Sequence, residues 1–171
     1  MIWSKTKKAL EGLLADSVKA HVQFHITSYG PGHSSTMNRG WITWDKQELV
    51  SFSNIVHWQA AERFAEALRA EHEGEPGNEY RSYHATAEVI VSEAQRVFSR
   101  DAFEDAVDRY LTLSIDDALI DPSPIVRALA MLDRRLGKRR LKELVMDDQT
   151  HPLVKLLYTR RCDAEGLLLT A

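Results

Sequence analysis

His21-Val22-Gln23-Phe24-His25-Ile26-Thr27 alternates strictly: Val22, Phe24 and Ile26 point one way, while Gln23, His25 and Thr27 point the other. A period of two marks a half-buried strand. Two further β-prone runs, Trp41-Ile42-Thr43-Trp44 and Leu49-Val50-Ser51-Phe52, are separated by polar Asp45-Lys46-Gln47-Glu48 and read as a hairpin. A three-residue turn at Asp45 to Gln47 would set Ile42 opposite Val50 and gather Ile42, Trp44, Val50 and Phe52 on one face. A slip of one residue would scatter that set, so burial selects this pairing. Residues 20–53 are thus expected to form a three-stranded antiparallel sheet. Three strands cannot exclude water from their own inner face, so a helix must cover it.

Outward from the sheet the hydrophobic period changes to about 3.6. On the N-terminal side Ala9, Leu10, Leu13 and Leu14 recur at helical spacing, with Ser4 as a candidate cap and an end before Val18. On the C-terminal side, residues 58–72 place Ala61, Phe64, Ala65 and Leu68 at i, i+3, i+4 and i+7, the stripe of a covering helix. Glu73-Gly74-Glu75-Pro76-Gly77-Asn78 breaks it. Everything beyond reads as helical. Ser99 caps a helix to about Leu113, with Phe98 and Phe103 as a hydrophobic staple. Ser114 with Asp117 forms an acidic capping box, Asp121-Pro122-Ser123-Pro124 starts another helix, and Gly137 ends or kinks it. Pro124-Ile125-Val126-Arg127-Ala128-Leu129 and Pro152-Leu153-Val154-Lys155-Leu156-Leu157 look alike, which two ordinary proline-started helices explain without a repeat.

The fold class is therefore α+β: an N-terminal helix and a three-stranded antiparallel sheet covered by a helix, then an all-helical half. One domain is expected over 1–171, with an α/β-hairpin half at 1–75 and a helical half at 79–171. A chain of 171 residues buries roughly 70% of its unfolded surface, enough for one core without metals or disulfides. Phe24, Ile42, Phe52, Phe64, Phe103, Leu129 and Leu132 are the expected core.

Composition excludes several functions. A net charge of −3 argues against a dedicated nucleic-acid binder. Cys162 is the single cysteine, so neither an intramolecular disulfide nor a multi-cysteine zinc site can form. The charged start Met1-Ile2-Trp3-Ser4-Lys5-Thr6-Lys7-Lys8 is unlike a signal peptide, and no apolar run approaches a membrane span. A cytoplasmic location, with no membrane partner, is the expectation.

Chemistry-bearing motifs are sparse. His21 and His25 share a strand face, but four residues of strand span roughly 13 Å, too far for ligands about 2 Å from one zinc. His33, His57, His72, His84 and His151 show no ligand spacing, so no metal is assigned. Gly30-Pro31-Gly32-His33-Ser34-Ser35 lacks the lysine and the following helix of a phosphate loop. Cys162 lies beside Arg160, Arg161 and Asp163 and could pair with a base such as His151, although an inert thiol is the default. Asp101, Glu104, Asp105, Asp108, Asp116 and Asp117 suit helix N-termini and wet faces. No catalytic residue and no cofactor is assigned.

The densest signal is Leu132-Asp133-Arg134-Arg135-Leu136-Gly137-Lys138-Arg139-Arg140-Leu141-Lys142-Glu143-Leu144. Its leucines can stay inside while Arg134, Arg135, Lys138, Arg139 and Arg140 remain wet, which makes these five the candidate partner-binding residues. A solvated corner is the plain alternative. With Ala130-Met131 before it, with His151-Pro152, the opening tryptophan and lysines and the Trp41–Phe52 hairpin, this stretch resembles an uncharacterised family of small bacterial proteins. The resemblance implies a bacterial cytosolic protein and carries over no functional residue. The functional expectation is a non-enzymatic protein-interaction module with a protein partner. The alternatives are a nucleic-acid-associated protein using the corner at 134–142, and an enzyme whose site a single sequence does not reveal. Oligomeric state is left open.

Overall fold

A computed structural model of the chain describes residues 2–27, 38–72, 80–94 and 97–167. The Tyr29–Ser35 loop, the break at 73–78 and the side chain of His84 lie outside the described residues. The elements in chain order are α1 (Trp3–Leu13), α2 (Asp16–Lys19), β1 (Val22–Thr27), β2 (Arg39–Trp44), β3 (Gln47–Ser53), α3 (Asn54–Glu71), α4 (Tyr80–Ala94), α5 (Arg100–Thr112), α6 (Ile115–Leu119), α7 (Pro124–Met131), α8 (Lys138–Glu143) and α9 (Pro152–Ala164). The class is α+β, with an antiparallel sheet in the order β1-β2-β3 and no strand between residues 99 and 165 among those described.

The alternation of β1 is realised as buried Val22 and Phe24 against exposed Gln23 and Thr27. The hairpin corrects the expected turn. Only Asp45 and Lys46 form it, both left-handed at φ 50° and 67°, so Trp44 at the end of β2 faces Gln47 at the start of β3. Ile42 and Phe52 are buried as expected, whereas Trp44 and Val50 are half-buried.

By contacts the chain divides into two compact units. One comprises residues 26–41 and 51–102. Here Ser53 caps α3 by accepting from Val56 N–H, and Ala61 and Ala65 of α3 pack on Ala87 of α4, with Phe64 and Tyr83 around them. Alanines at the contact let two helix backbones approach closely, which is where the apolar stripe of α3 finds cover. Phe64 is consequently half-buried rather than core. Ser99 accepts from Ala102 N–H, the expected cap of α5.

The other unit comprises residues 1–25, 42–50 and 103–171. Its core gathers Leu10, Val18, Val22, Phe24, Phe103, Val107, Leu129, Leu132, Leu136, Leu141 and Leu157, with α7 packed along α9. Two local expectations are corrected. α1 begins at Trp3 with Ile2 as its uncapped boundary, so Ser4 sits inside the helix. Gly137 does not end the helix begun at Pro124: α7 stops at Met131, and Gly137 is the boundary residue that opens α8. The two proline starts are ordinary caps. Ser123 Oγ accepts from Val126 N–H, and His151 Nδ1 accepts from Leu153 N–H.

Candidate docking site

Between α7 and α8 the chain runs through the loop Leu132–Gly137, and this stretch is built into the interior. Leu132, Asp133 and Leu136 are buried. Ala15 N–H donates to Leu132 O at 2.9 Å and Arg134 N–H to Leu13 O at 2.8 Å, so the loop makes a bridge with the residues that follow α1. Such a loop strands its carbonyls away from water, and Arg161 of α9, only 3% exposed, meets that demand. Its guanidinium donates to Leu132 O at 3.2 Å, Asp133 O at 3.4 Å and Leu136 O at 3.5 Å. Its Nε lies 2.9 Å from Glu165 Oε1, an ion pair without hydrogen-bond alignment.

The Asp133 carboxylate is fully enclosed. It accepts from Tyr110 Oη, from Arg135 Nε at 2.9 Å and Nη2 at 2.7 Å, and from the Arg135 backbone N–H at 2.7 Å. The Arg135 guanidinium also lies over the Tyr110 ring, 5.7 Å from its centroid. Burial, reinforced by the neighbouring carboxylate, pushes the Tyr110 hydroxyl well above its ordinary pKa. Glu165 is the second hub, accepting from Ser17 Oγ at 2.6 Å and pairing with Lys138 Nζ at 2.7 Å. Burial opposes its charge, but the hydrogen bonds from Lys138 and Ser17 and the charge of Arg161 outweigh that and hold it below the usual glutamate value.

The five candidate partner-binding residues are thereby placed. Arg135 is committed to Asp133, Lys138 to Glu165, Arg139 to Glu143 at 3.1 Å, and Arg140 to Asp116. The Arg134 side chain is exposed and makes no hydrogen bond or ion pair with the described residues. The pairs of Arg139 and Arg140 lie at the surface, where an ion pair contributes about 0 to 1 kcal/mol. The double change Arg139→Gln, Arg140→Gln is therefore expected to alter stability by about 0.5 kcal/mol or less, read from paired denaturant titrations. A loss above about 1.5 kcal/mol would give these two arginines a structural duty that their exposure denies.

Next to this corner lies a feature that charge patterning alone does not reveal. Between α8 and α9, Leu144-Val145-Met146 belongs to no helix or strand, with Leu144 in an extended conformation, and forms a wall common to two grooves. The larger, about 820 Å³, has as its other wall Lys155, Tyr158, Thr159 and Cys162. Those four recur at i, i+3, i+4 and i+7, one face of α9. The smaller, about 290 Å³, is lined by Leu119, Met131 and Val154, among others. Val145 stands on the wall 81% exposed. Lys142 and Lys155 stand in the lining of the larger groove without an ion-pair partner among the described residues, whereas Glu143 is already matched by Arg139.

The remaining candidates carry other duties. His21 stacks on Trp44 at 5.2 Å and holds the Asp45 carboxylate at 2.6 Å. His25 bonds Thr43 Oγ1, and burial lowers its pKa. His57 bonds Ser92, and His72 donates to Leu68 O. No three His, Cys, Asp or Glu side chains converge as metal ligands among the described residues. Cys162 is buried, and burial pushes its thiol pKa up, the opposite of an activated nucleophile. His151 uses Nδ1 as a helix cap. Asp116 and Asp117 serve Arg140 and the Ser114 cap, and Asp101 accepts from Asn54.

No helix among the described residues is long and apolar enough to cross a membrane. No curated protein and no solved structure matches the chain. A family model does, over residues 2–162, a span that takes in the sheet, the buried Leu132–Gly137 loop and the α9 face of the groove as far as Cys162; the chain belongs to the SF0329 protein family.

Proposed function

We propose that the protein is a non-enzymatic protein-interaction module of the bacterial cytoplasm that docks a partner on the grooves flanking Leu144-Val145-Met146. The observation carrying this reading is that two grooves share the Leu144-Val145-Met146 wall, with the aliphatic Val145 81% exposed on it. The basic corner supports the alternative of a nucleic-acid partner less well, because four of its five cations already have carboxylate partners.

A photo-crosslinking side chain at position 145, compared with one at exposed Val89, tests the reading in cells. The expected result is one protein captured in near-stoichiometric yield from position 145 and not from 89, and lost in a Val145→Asp background. That variant should leave stability within about 0.5 kcal/mol, as an exposed site allows. Equal capture at both positions, or retention of nucleic acid with a steep salt dependence in place of a protein, would overturn it.

A further inference from the structure

Any partner that covers Leu144-Val145-Met146 takes its backbone out of water. Val145 and Met146 belong to no helix or strand, and their N–H and C=O groups make no hydrogen bond among the described residues. Buried without partners, such groups oppose binding, so the occupant must supply complementary donors and acceptors. A helix cannot, because its own backbone groups are already paired within it. An extended segment can, since each strand edge offers N–H and C=O groups at every second residue.

The dimensions agree. From Lys155 to Cys162 the α9 wall runs seven residues, roughly 10 Å at 1.5 Å per residue, and Gly166 extends the lining beyond it. At about 3.3 Å per residue, three to five residues of strand fill that length. Charge points the same way: Lys142 and Lys155 form no ion pair among the described residues, although Lys155 also acts electrostatically on Asp147, and Glu143, the one carboxylate in the groove's described lining, pairs with Arg139 at 3.1 Å. Tyr158 and Cys162, both largely buried, also line the groove.

We infer that the docked partner presents a short extended segment, apolar at alternate positions and flanked by Asp or Glu, which adds as a strand to Leu144–Met146 within the larger groove. Its alternate side chains rest on Tyr158 and its carboxylates meet Lys142 and Lys155. The inference rests on the docking reading above and specifies its occupant.

A displayed library of random ten-residue peptides, selected on the full chain, is the test. Enrichment of acidic-apolar alternating sequences is expected. A synthetic peptide of the enriched sequence should bind about tenfold more weakly to the Lys142→Gln, Lys155→Gln variant at low salt, the size of two surface ion pairs. Methylating its backbone nitrogens one at a time should abolish binding at alternate positions only. Enrichment of basic or helical sequences, or indifference to methylation at every position, would overturn the inference. So would the absence of any enriched peptide while position 145 still captures a protein, an outcome that leaves the docking reading standing. Failure of both experiments removes the docking site itself.

Discussion

Replacing Asp133 with Ala is expected to cost about 3 to 5 kcal/mol, the range for breaking a buried, hydrogen-bonded charge pair by removing one partner. The carboxylate side chain is fully buried, and its loss strands the Tyr110 hydroxyl and the Arg135 guanidinium that it satisfies. It also frees the Arg135 backbone N–H, which holds the turn of the Leu132–Gly137 loop. Tyr110→Phe removes a single donor and should cost only about 1 to 3 kcal/mol. The double variant completes a cycle whose coupling energy should exceed about 0.5 kcal/mol, because the two groups share one hydrogen bond. Urea titration of the four proteins gives the result, and a loss below 1 kcal/mol for Asp133→Ala would contradict the enclosed geometry.

Phe103→Ala should be comparably damaging, at about 3 to 5 kcal/mol, by a different route. The ring is completely buried and lies 6.3 Å from that of Trp3, so truncation removes apolar contact and leaves a cavity in the unit that contains α1, α5 and α9. Phe103→Leu refills most of the volume and should recover over half of the loss. A denaturant midpoint for Phe103→Ala close to that of the unchanged protein would place the residue outside the core.

The sheet and most helices were legible because local rules decide them. The alternation in Val22–Thr27, the caps at Ser99 and Ser114 and the proline starts each follow from a few neighbouring residues. The hairpin register was not, since the polar run Asp45-Lys46-Gln47-Glu48 contains no glycine to mark where the backbone turns left-handed. The role of the basic stretch was half legible. Its leucines read correctly as interior, but the partners of its charges, Asp116, Tyr110 and Glu165, lie far along the chain, where periodicity carries no information. In the sequence Asp133 is one charge among many, yet it is the residue around which the loop is organised. The groove was invisible for a related reason: a strip outside any helix or strand becomes a wall only when a distant helix face stands opposite.

The turn has a consequence for the order of folding. Left-handed backbone at an ordinary residue costs roughly 1 kcal/mol or more, which the hairpin asks of Lys46 in full and of Asp45, a residue that tolerates it better, in part. What offsets this comes from outside the hairpin: Asp45 N–H donates to His21 O at 2.9 Å, and its carboxylate meets the His21 ring. A peptide of residues 39–53 alone should therefore show no hairpin cross-strand signals in water, and one extended back to residue 20 should show them first at Asp45. The hairpin is then a late event that waits for the chain before β1 to arrive, and the nucleation of this sheet is set by a contact across 24 residues of sequence rather than by its own tight turn.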